Sequence, residues 1–298
     1  MKRLLGSGLL ACAVALIGNP SIAQEAVRDD RGAVIALKAP PQRIVSLLPS
    51  LTESVCALGA CARLVGVDRY SNWPASVLAL PRLGGLDDAP IERIVALRPD
   101  LVLVSSSARV VDRLEALGLK VAVLEPRDRT DAKRSLERVA RLLGTPAEAA
   151  RVWAEIERET RAAAARVPAS LRGQQVYFEV DEAPYAAGPA SFIGETLAQL
   201  GLSSALPAAL GPFPKLNPEY VVRLQPGLVM ASERAIAEMP QRPGWAALRA
   251  LREARTCGFS TAQYDVLIRP GPRMGEAAGR VADCLVAIAA RVPIVKAH

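Results

Sequence analysis

The 298-residue sequence predicts an α/β fold of two lobes, each with a mainly parallel sheet flanked by helices, joined by one long helix. Short apolar runs alternate with helical segments on both sides of the chain's midpoint, which is the order that parallel sheets require. Residues 146–167 have no internal glycine or proline and are rich in Ala, Glu and Arg, which favours a single helix. A motif that begins at Glu92 recurs at Glu219, so the two lobes are predicted to be related.

The N-terminus has the pattern of a secretory signal peptide over residues 1–23. Lys2 and Arg3 precede an apolar run at 4–17, and small residues precede the predicted cut. The run is shorter than the roughly 20 residues that a membrane span needs. A lipoprotein cleavage box ending at Cys12 is the alternative. Export predicts a periplasmic location.

Removal of Cys12 with the signal peptide leaves Cys56, Cys61, Cys257 and Cys284. An oxidising compartment favours disulfides among them. Pairing Cys56 with Cys61 and Cys257 with Cys284 would keep each bridge inside one lobe, and buried free thiols are the alternative. The formal net charge of +7 is modest, and no dense basic block with interleaved aromatics is present, so nucleic acid is not a predicted partner.

The N-terminal lobe is predicted over residues 41–144, after a loose segment at 24–40. The pattern Ser50-x-x-Glu53 indicates a capping box at the start of the first helix. The predicted strands are 43–48, 64–67, 101–104 and 121–124, and the predicted helices are 50–58, 92–97, 110–117 and 131–143.

The interlobe helix is predicted over residues 145–168. Its charges are mixed along the surface, and its apolar stripe is thin. A long polar helix of this kind favours a strut between two lobes over a core element. The predicted stripe consists of Ala150, Trp153, Ala154, Ile156 and Ala164.

The C-terminal lobe is predicted over residues 172–298. Its proline-rich loops at 181–190 and 205–216 contain Tyr185 and Phe213. The predicted strands are 175–180, 228–231 and 255–257, and the predicted helices are 192–200, 218–224, 245–251 and 274–292.

The repeated motif spans residues 92–102 and 219–229. In both copies Glu begins a short helix, Leu follows five residues later, Pro seven, and Leu-Val nine and ten. Proline ends the helix, and Leu-Val begins a buried strand. This register predicts a duplicated helix–strand unit.

The residue types present argue against catalysis. The only histidine is His298, the last residue, which excludes Ser-His-Asp chemistry and histidine-based zinc sites. No phosphate loop, nucleophile elbow or dinucleotide fingerprint is present. Asp87 and Asp88 are expected to cap a helix, with a site for a hard cation as the alternative. Asp181, Glu182 and Asp265 are expected to be surface loop charges. We therefore predict no enzyme activity, no metal and no cofactor.

Binding is the remaining class of function. Tyr70, Trp73, Tyr185 and Phe213 all fall in loops between strands and helices. Ligands of open α/β sheets lie outside the strand ends, so these loops predict an aromatic cleft between the lobes. The alternative is that each aromatic ring packs against its own lobe.

Three segments resemble the periplasmic cobalamin-binding protein of ABC importers: RIVSLLPSLTE at 43–53, VGVDRYS at 65–71 and IERIVALRPDLV at 91–102. The likeness extends from about residue 41 to 289. Its motifs are shared by the wider class that carries cobalamin, haem and ferric siderophores. The resemblance implies a monomeric binding protein with a single rigid interlobe helix. The implied partners are a permease dimer with its ATPase subunits.

The resemblance also implies roles for individual residues. Tyr70 matches a ligand-contacting tyrosine, Phe213 stands where the family has a tryptophan against the corrin ring, and Tyr185 lies in another aromatic loop. Leu86 replaces a further tryptophan, and this departure leaves the ligand open. Glu92 and Glu219 match two glutamates that dock on permease arginines. The alternative for both glutamates is a favourable charge at a helix N-terminus.

Cobalamin or a related corrinoid is the ligand that we expect. Haem would need an axial ligand from Tyr70, Tyr185 or Tyr220. An anionic siderophore would favour cleft arginines, for which Arg69 and Arg273 are the candidates. A periplasmic enzyme or metal chaperone, or the binding subunit of a sensor, are alternatives of another class.

Overall fold

The computed structural model describes residues 26–181 and 184–291. The predicted signal peptide at 1–23, Cys12, Glu182 and His298 lie outside the described residues. Among the described residues, no helix combines the length and the apolar character needed to cross a lipid bilayer.

The first half of the chain alternates strands and helices as predicted. Its elements are β1 (Val27–Arg28), β2 (Val34–Ile35), β3 (Ile44–Ser46), α1 (Pro49–Ala57), β4 (Leu64–Val67), α2 (Ile91–Ala96), β5 (Leu101–Val104), α3 (Val111–Ala116), β6 (Val121–Val123) and α4 (Arg129–Leu143). The long helix α5 (Pro146–Arg166) then leads into the second half.

The second half repeats this alternation. Its elements are β7 (Gln175–Asp181), β8 (Tyr185–Ala186), α6 (Phe192–Gln199), β9 (Ser203–Ser204), α7 (Pro218–Leu224), β10 (Leu228–Ser232), α8 (Glu233–Glu238), α9 (Arg249–Arg252), β11 (Thr256–Phe259), α10 (Thr261–Leu267) and α11 (Met274–Arg291).

Both halves build the same parallel sheet. The strand order is β4-β3-β5-β6 in the first and β9-β7-β10-β11 in the second, and all of these pairs are parallel. The second sheet has one addition, β8, which pairs antiparallel with β7. The prediction of two mainly parallel sheets flanked by helices and joined by one long helix is confirmed.

The repeated motif has the same backbone conformation in both halves. Arg98 and Gln225 each stand six residues after the motif's glutamate, and both are left-handed, with φ of 46° and 45°. Non-glycine residues rarely adopt this conformation. It turns the chain from α2 into β5 and from α7 into β10, each the third parallel strand along the chain in its sheet.

Each sheet has a separate outer core and a part in one shared inner core. The outer core of the first sheet lies under α2 and α3, and that of the second lies under α7 and includes the buried Trp245. The inner core is continuous from one sheet to the other through α4, α5 and α11. The two halves are therefore joined by packed side chains as well as by the chain itself.

The prediction that α5 is a strut outside the core is wrong. One face of α5 is buried against α4 and α11. This face consists of Ala149, Val152, Ile156, Thr160 and Ala163. Of the predicted stripe, Ala150 and Ala154 are exposed and only Ile156 is fully buried. Small residues let the neighbouring helices approach, so the apolar signal of the buried face is weak.

The segment predicted to be loose is an ordered hairpin, β1–β2, over its described part. The amide of Asp30 donates to the carbonyl of Val123 at 3.0 Å, and the amide of Val123 donates to the Asp29 carboxylate at 3.2 Å. These bonds occupy backbone groups of β6, an edge strand that would otherwise be open to another chain.

The structure pairs Cys56 with Cys61 and Cys257 with Cys284. The first bridge ties the end of α1 to the turn before β4, and the second ties β11 to α11. Each bridge lies within one half of the chain. The lobe boundaries 41–144, 145–168 and 172–298 stay a prediction.

Helix α11 crosses α5 closely at Gly275. A Cβ atom there would lie 2.6 Å from the Cβ of Glu159 and 3.1 Å from the carbonyl oxygen of Ile156. We expect Gly275→Ala to push the two helices apart and lower the free energy of unfolding by about 1–3 kcal/mol. Urea denaturation measures the change.

Gly279, one turn further along α11, is the matched control. The nearest atom to a Cβ at this position is Arg166 Nη2, at 3.7 Å. Gly279→Ala should be neutral or stabilise by up to about 1 kcal/mol, since alanine favours the helix. Equal losses from both substitutions would contradict a close crossing at Gly275.

Candidate functional site

The loop after β4 carries Tyr70 and Trp73 and is fixed by the buried carboxylate of Asp68. This carboxylate accepts the backbone N–H groups of Tyr70 at 2.7 Å and Ser71 at 3.0 Å, and also the Ser71 hydroxyl. Burial raises the pKa of Asp68, while the Ser71 hydrogen bond opposes the rise. The Tyr70 ring itself is 60% exposed. The loop is therefore rigid at its base and presents an exposed aromatic ring.

A buried arginine from the second half holds the same loop. Arg269 Nη1 donates to Glu53 Oε1 at 2.9 Å and to Asn72 Oδ1 at 2.8 Å. Its Nη2 donates to the carbonyl of Tyr70 at 3.0 Å and lies 2.9 Å from Asp265 Oδ2. Four partners from α1, the β4 loop and α10 thus converge on one guanidinium.

The Arg269 cluster corrects two predictions. Glu53 is fully buried within α1, which begins at Pro49, so it does not form a capping box with Ser50. Burial raises the pKa of the Glu53 carboxyl, and the hydrogen bond from Arg269 lowers it. Asp265 lies within α10 and accepts the Asn72 amide at 2.8 Å, so it is not a free surface charge.

Arg273 is also committed to partners within the protein. Its guanidinium lies 4.9 Å from the centre of the Trp73 ring, and its Nε donates to Glu276 at 2.9 Å. The buried Glu53 carboxylate is 3.7 Å away. A cation–π contact and two carboxylates leave Arg273 little capacity for an anionic ligand. Its predicted role as a ligand-binding residue stays a prediction.

Tyr185 and Phe213 lie on neighbouring segments of the second half. The amide of Ala186 donates to the carbonyl of Pro214 at 3.1 Å, and Lys215 lies over the Tyr185 ring at 5.8 Å. Tyr185 is 38% exposed. Phe213 is half-buried and packs on Phe192 with ring centres 5.8 Å apart. The structure thus brings these two candidates together, while Tyr70 belongs to the first half.

The remaining predicted residues are Leu86, Glu92 and Glu219. Leu86 is half-buried against the outer core under α2 and α3. Glu92 and Glu219 are exposed in the first turns of α2 and α7, the two equivalent helices of the repeat. No basic side chain among the described residues forms an ion pair with either glutamate.

Two arginines of the first-half loops lie beside carboxylates. Arg69 pairs with Asp88, and Arg109 Nε lies 3.1 Å from Asp87. The expectation that both aspartates cap a helix is wrong, since α2 begins only at Ile91 and Pro90 precedes it. Asp88 instead accepts the backbone amide of Gly85 at 2.7 Å.

A cavity of about 380 Å³ opens where β7 and β10 end. Tyr264 borders it and donates to the carbonyl of Glu179 at 2.5 Å. Burial raises the pKa of the Tyr264 phenol, so it stays protonated as a donor. The cavity is also lined by Asp181, Ser232, Glu233 and Thr261.

Sequence reasoning missed Arg269 altogether. The spacing Asp265–Arg269 is that of an i,i+4 ion pair on a helix and could have drawn attention to α10. Nothing local connects α10 with Glu53 or Asn72, which are distant in the sequence. Within the described ranges, no group of His, Cys, Asp and Glu side chains could hold a metal ion.

Comparisons with known proteins agree with this architecture. An uncharacterized ABC transporter substrate-binding lipoprotein from Bacillus subtilis (strain 168) is 25% identical over 312 residues, covering 96% of this chain and 98% of the relative. A vitamin B12-binding protein from Vibrio cholerae serotype O1 is 26% identical over 257 residues, covering 85% of this chain and 92% of the relative. The apo periplasmic heme-binding protein of Roseiflexus sp. RS-1 has a TM-score of 0.70 at 26% identity, covering 83% of this chain and 99% of that chain.

A family model described as periplasmic binding protein matches residues 44–257, which run from β3 into β11 and include the long helix α5. The relatives and solved structures that resemble the chain are binding proteins and not enzymes. The chain therefore belongs to the periplasmic binding protein family.

Proposed function

We propose that this protein binds cobalamin or a related corrinoid and delivers it to an ABC importer. The ligand would lie between the two halves, outside the carboxyl ends of the strands, against Tyr70, Tyr185 and Phe213. Similarity to vitamin B12-binding proteins supports this cargo, and similarity to a heme-binding protein keeps haem as the second candidate.

The pairing of four arginines with carboxylates is the observation that favours a corrinoid as the ligand. Arg69, Arg109, Arg269 and Arg273 are each paired with a carboxylate. Haem and ferric siderophores bear carboxylates or other anionic groups, which need cations that are free to pair. The corrin ring is edged mainly by neutral amides. Arginines that are already paired with carboxylates suit a corrinoid better than an anion. Lys215, which lies over the Tyr185 ring, is the one cation beside these candidate contacts that forms no ion pair among the described residues.

The cleft should be largely preformed. The inner core runs through both sheets, and Arg269 ties α10 to the β4 loop. A hinge motion would have to break this buried cluster, which leaves a charge without its partner. We expect a monomer that binds its ligand with little closure.

Haem is favoured by one specific observation. The exposed Tyr70 ring has the Arg69 guanidinium 5.9 Å from its centre, and a tyrosine oxygen can ligate haem iron. An experiment that identifies the ligand must therefore distinguish the contribution of the Tyr70 ring from that of its hydroxyl group.

Export and docking complete the proposal. The chain would be exported by its N-terminal segment, either as a periplasmic protein or as a lipoprotein anchored at Cys12. Glu92 and Glu219 would each face one half of a two-fold symmetric permease dimer, because they occupy equivalent positions of the repeat. ATP hydrolysis would belong to the ATPase subunits of that importer.

Cargo is tested by absorbance spectra of the protein after mixing with cyanocobalamin, haemin or a ferric siderophore and removal of free ligand. We expect retained corrin bands. Tyr70→Phe should bind cyanocobalamin nearly as well as the natural protein, because the ring is kept. Tyr70→Ala should weaken binding by about threefold to tenfold through loss of stacking. Leu117→Ala, at an exposed position directly after α3, is the control and should bind normally.

Haem as cargo gives the opposite pattern. If haem is the ligand, the natural protein retains haem absorbance bands, and Tyr70→Phe loses them as completely as Tyr70→Ala. That result would identify Tyr70 as an iron ligand and overturn the corrinoid proposal.

Docking is tested by reversing both charges, in the double variant Glu92→Arg with Glu219→Arg. Ligand affinity of the purified protein should be unchanged, because both side chains are exposed on helices of the outer layers. Uptake of labelled cyanocobalamin by cells should be abolished. The control reverses Glu148 and Glu155, which pair with arginines on α5, and should transport normally. Normal uptake by the docking variant, or loss of ligand binding, would refute the docking role.

A further inference from the structure

Glu125 stands at the carboxyl end of β6 and is held through one of its two oxygens. Its Oε2 accepts the backbone N–H of Ser106 at 2.8 Å and the Ser106 hydroxyl at 2.8 Å. The hydroxyl of Ser105, a buried residue at the end of β5, donates to the same oxygen. Three donors fix the carboxylate against the neighbouring strand end.

The second oxygen, Oε1, is available. No described residue donates a hydrogen bond to Oε1, and this atom is not among the buried polar atoms without a partner, so solvent reaches it. No described lysine or arginine forms an ion pair with Glu125. The backbone amide of Glu125 donates to Asp30 at 2.7 Å, and the Asp30 carboxylate is itself paired with Arg134 and Arg138. Glu125 thus offers an ordered negative charge that has no ion-pair partner of its own among the described residues, with one free acceptor.

Glu125 also borders the junction of the two halves. Two residues further on, the carbonyl of Arg127 accepts the amide of Phe192 at 3.0 Å. The Phe192 ring packs on Phe213, one of the candidate ligand contacts. A ligand that lies outside the strand ends and reaches Phe213 therefore passes close to β5 and β6, where Glu125 is fixed.

We propose that Glu125 is a specificity-determining residue that accepts a hydrogen bond from a peripheral amide N–H of the bound corrinoid. An anchored carboxylate binds an amide donor strongly because the bond is charge-assisted. The same charge repels a carboxylate at that position of the macrocycle. Glu125 therefore makes the cleft prefer amide-edged over acid-edged macrocycles. This inference rests on the proposed function and specifies that Glu125 recognises the peripheral amide groups of the ligand.

The test compares two corrinoids of the same ring: cobinamide, whose side chains are amides, and cobyrinic acid, whose side chains are carboxylic acids. Dissociation constants are measured for both by absorbance titration at neutral pH. The natural protein should prefer cobinamide. Glu125→Gln removes the charge, so it should reduce this preference by about fivefold to tenfold, mainly by tighter binding of cobyrinic acid.

Two further variants distinguish an effect of the Glu125 charge from a structural effect of the substitution. Glu148→Gln removes a carboxylate on α5 and should leave the preference unchanged. Glu125→Asp keeps the charge and should retain more of the preference than Glu125→Gln. Thermal midpoints of all variants show whether the fold is intact, and Glu125→Ala, which also removes the charge, replaces Glu125→Gln where that variant does not fold.

The outcomes distinguish a failure of the role of Glu125 from a failure of the proposed function. A preference that Glu125→Gln leaves unchanged, or that Glu125→Asp loses as fully as Glu125→Gln, overturns the role of Glu125 while corrinoid binding stands. A natural protein that binds neither corrinoid, nor cyanocobalamin, overturns the proposed function and this inference with it.

Discussion

The guanidinium of Arg269 joins the two halves through charged and polar groups. It is buried together with Glu53, and its remaining donors bind Asn72 and the backbone of Tyr70. Breaking a buried pair of this kind by removing one partner costs about 3–5 kcal/mol, because the other charge is left without compensation. The loop that presents Tyr70 is therefore fixed from both halves, by Asp68 at its base and by Arg269, which follows α10.

The shared core gives this contact a rigid frame. Helices α4, α5 and α11 belong to one apolar core that also includes residues of both sheets, so the halves cannot separate without exposing apolar surface. The outer face of each sheet is left for α2 and α7, the helices that carry Glu92 and Glu219. The loop with Tyr70 belongs to the first half, Tyr185 and Phe213 belong to the second, and the outer layers carry the two equivalent helices. Under the proposed function, the aromatic rings would contact the ligand and the two helices would face the permease.

Much of the fold could be predicted because it depends on local sequence. The repeat at Glu92 and Glu219 predicted two related helix–strand units, and Arg98 and Gln225 show that even the turn conformation is duplicated. The remainder depends on residues distant in sequence. Glu53 has the spacing of a capping residue, and only the approach of Arg269 across the fold makes it a buried ion-pair partner. The buried face of α5 was missed because alanine and threonine supply much of it.

The candidate site could likewise be predicted from the sequence only where it depends on local features. Loops with aromatic residues were predictable from their positions between strands and helices, whereas the pairing of the cleft arginines required coordinates. The central claim is that Arg269 and the shared core hold the halves at one separation. That separation would be measured by double electron–electron resonance between spin labels at Leu78→Cys and Leu210→Cys, which are exposed positions of the two halves. The account predicts one narrow distance distribution that is the same with and without cyanocobalamin. A broad distribution in the free protein, or a clear shortening when the ligand binds, would contradict it.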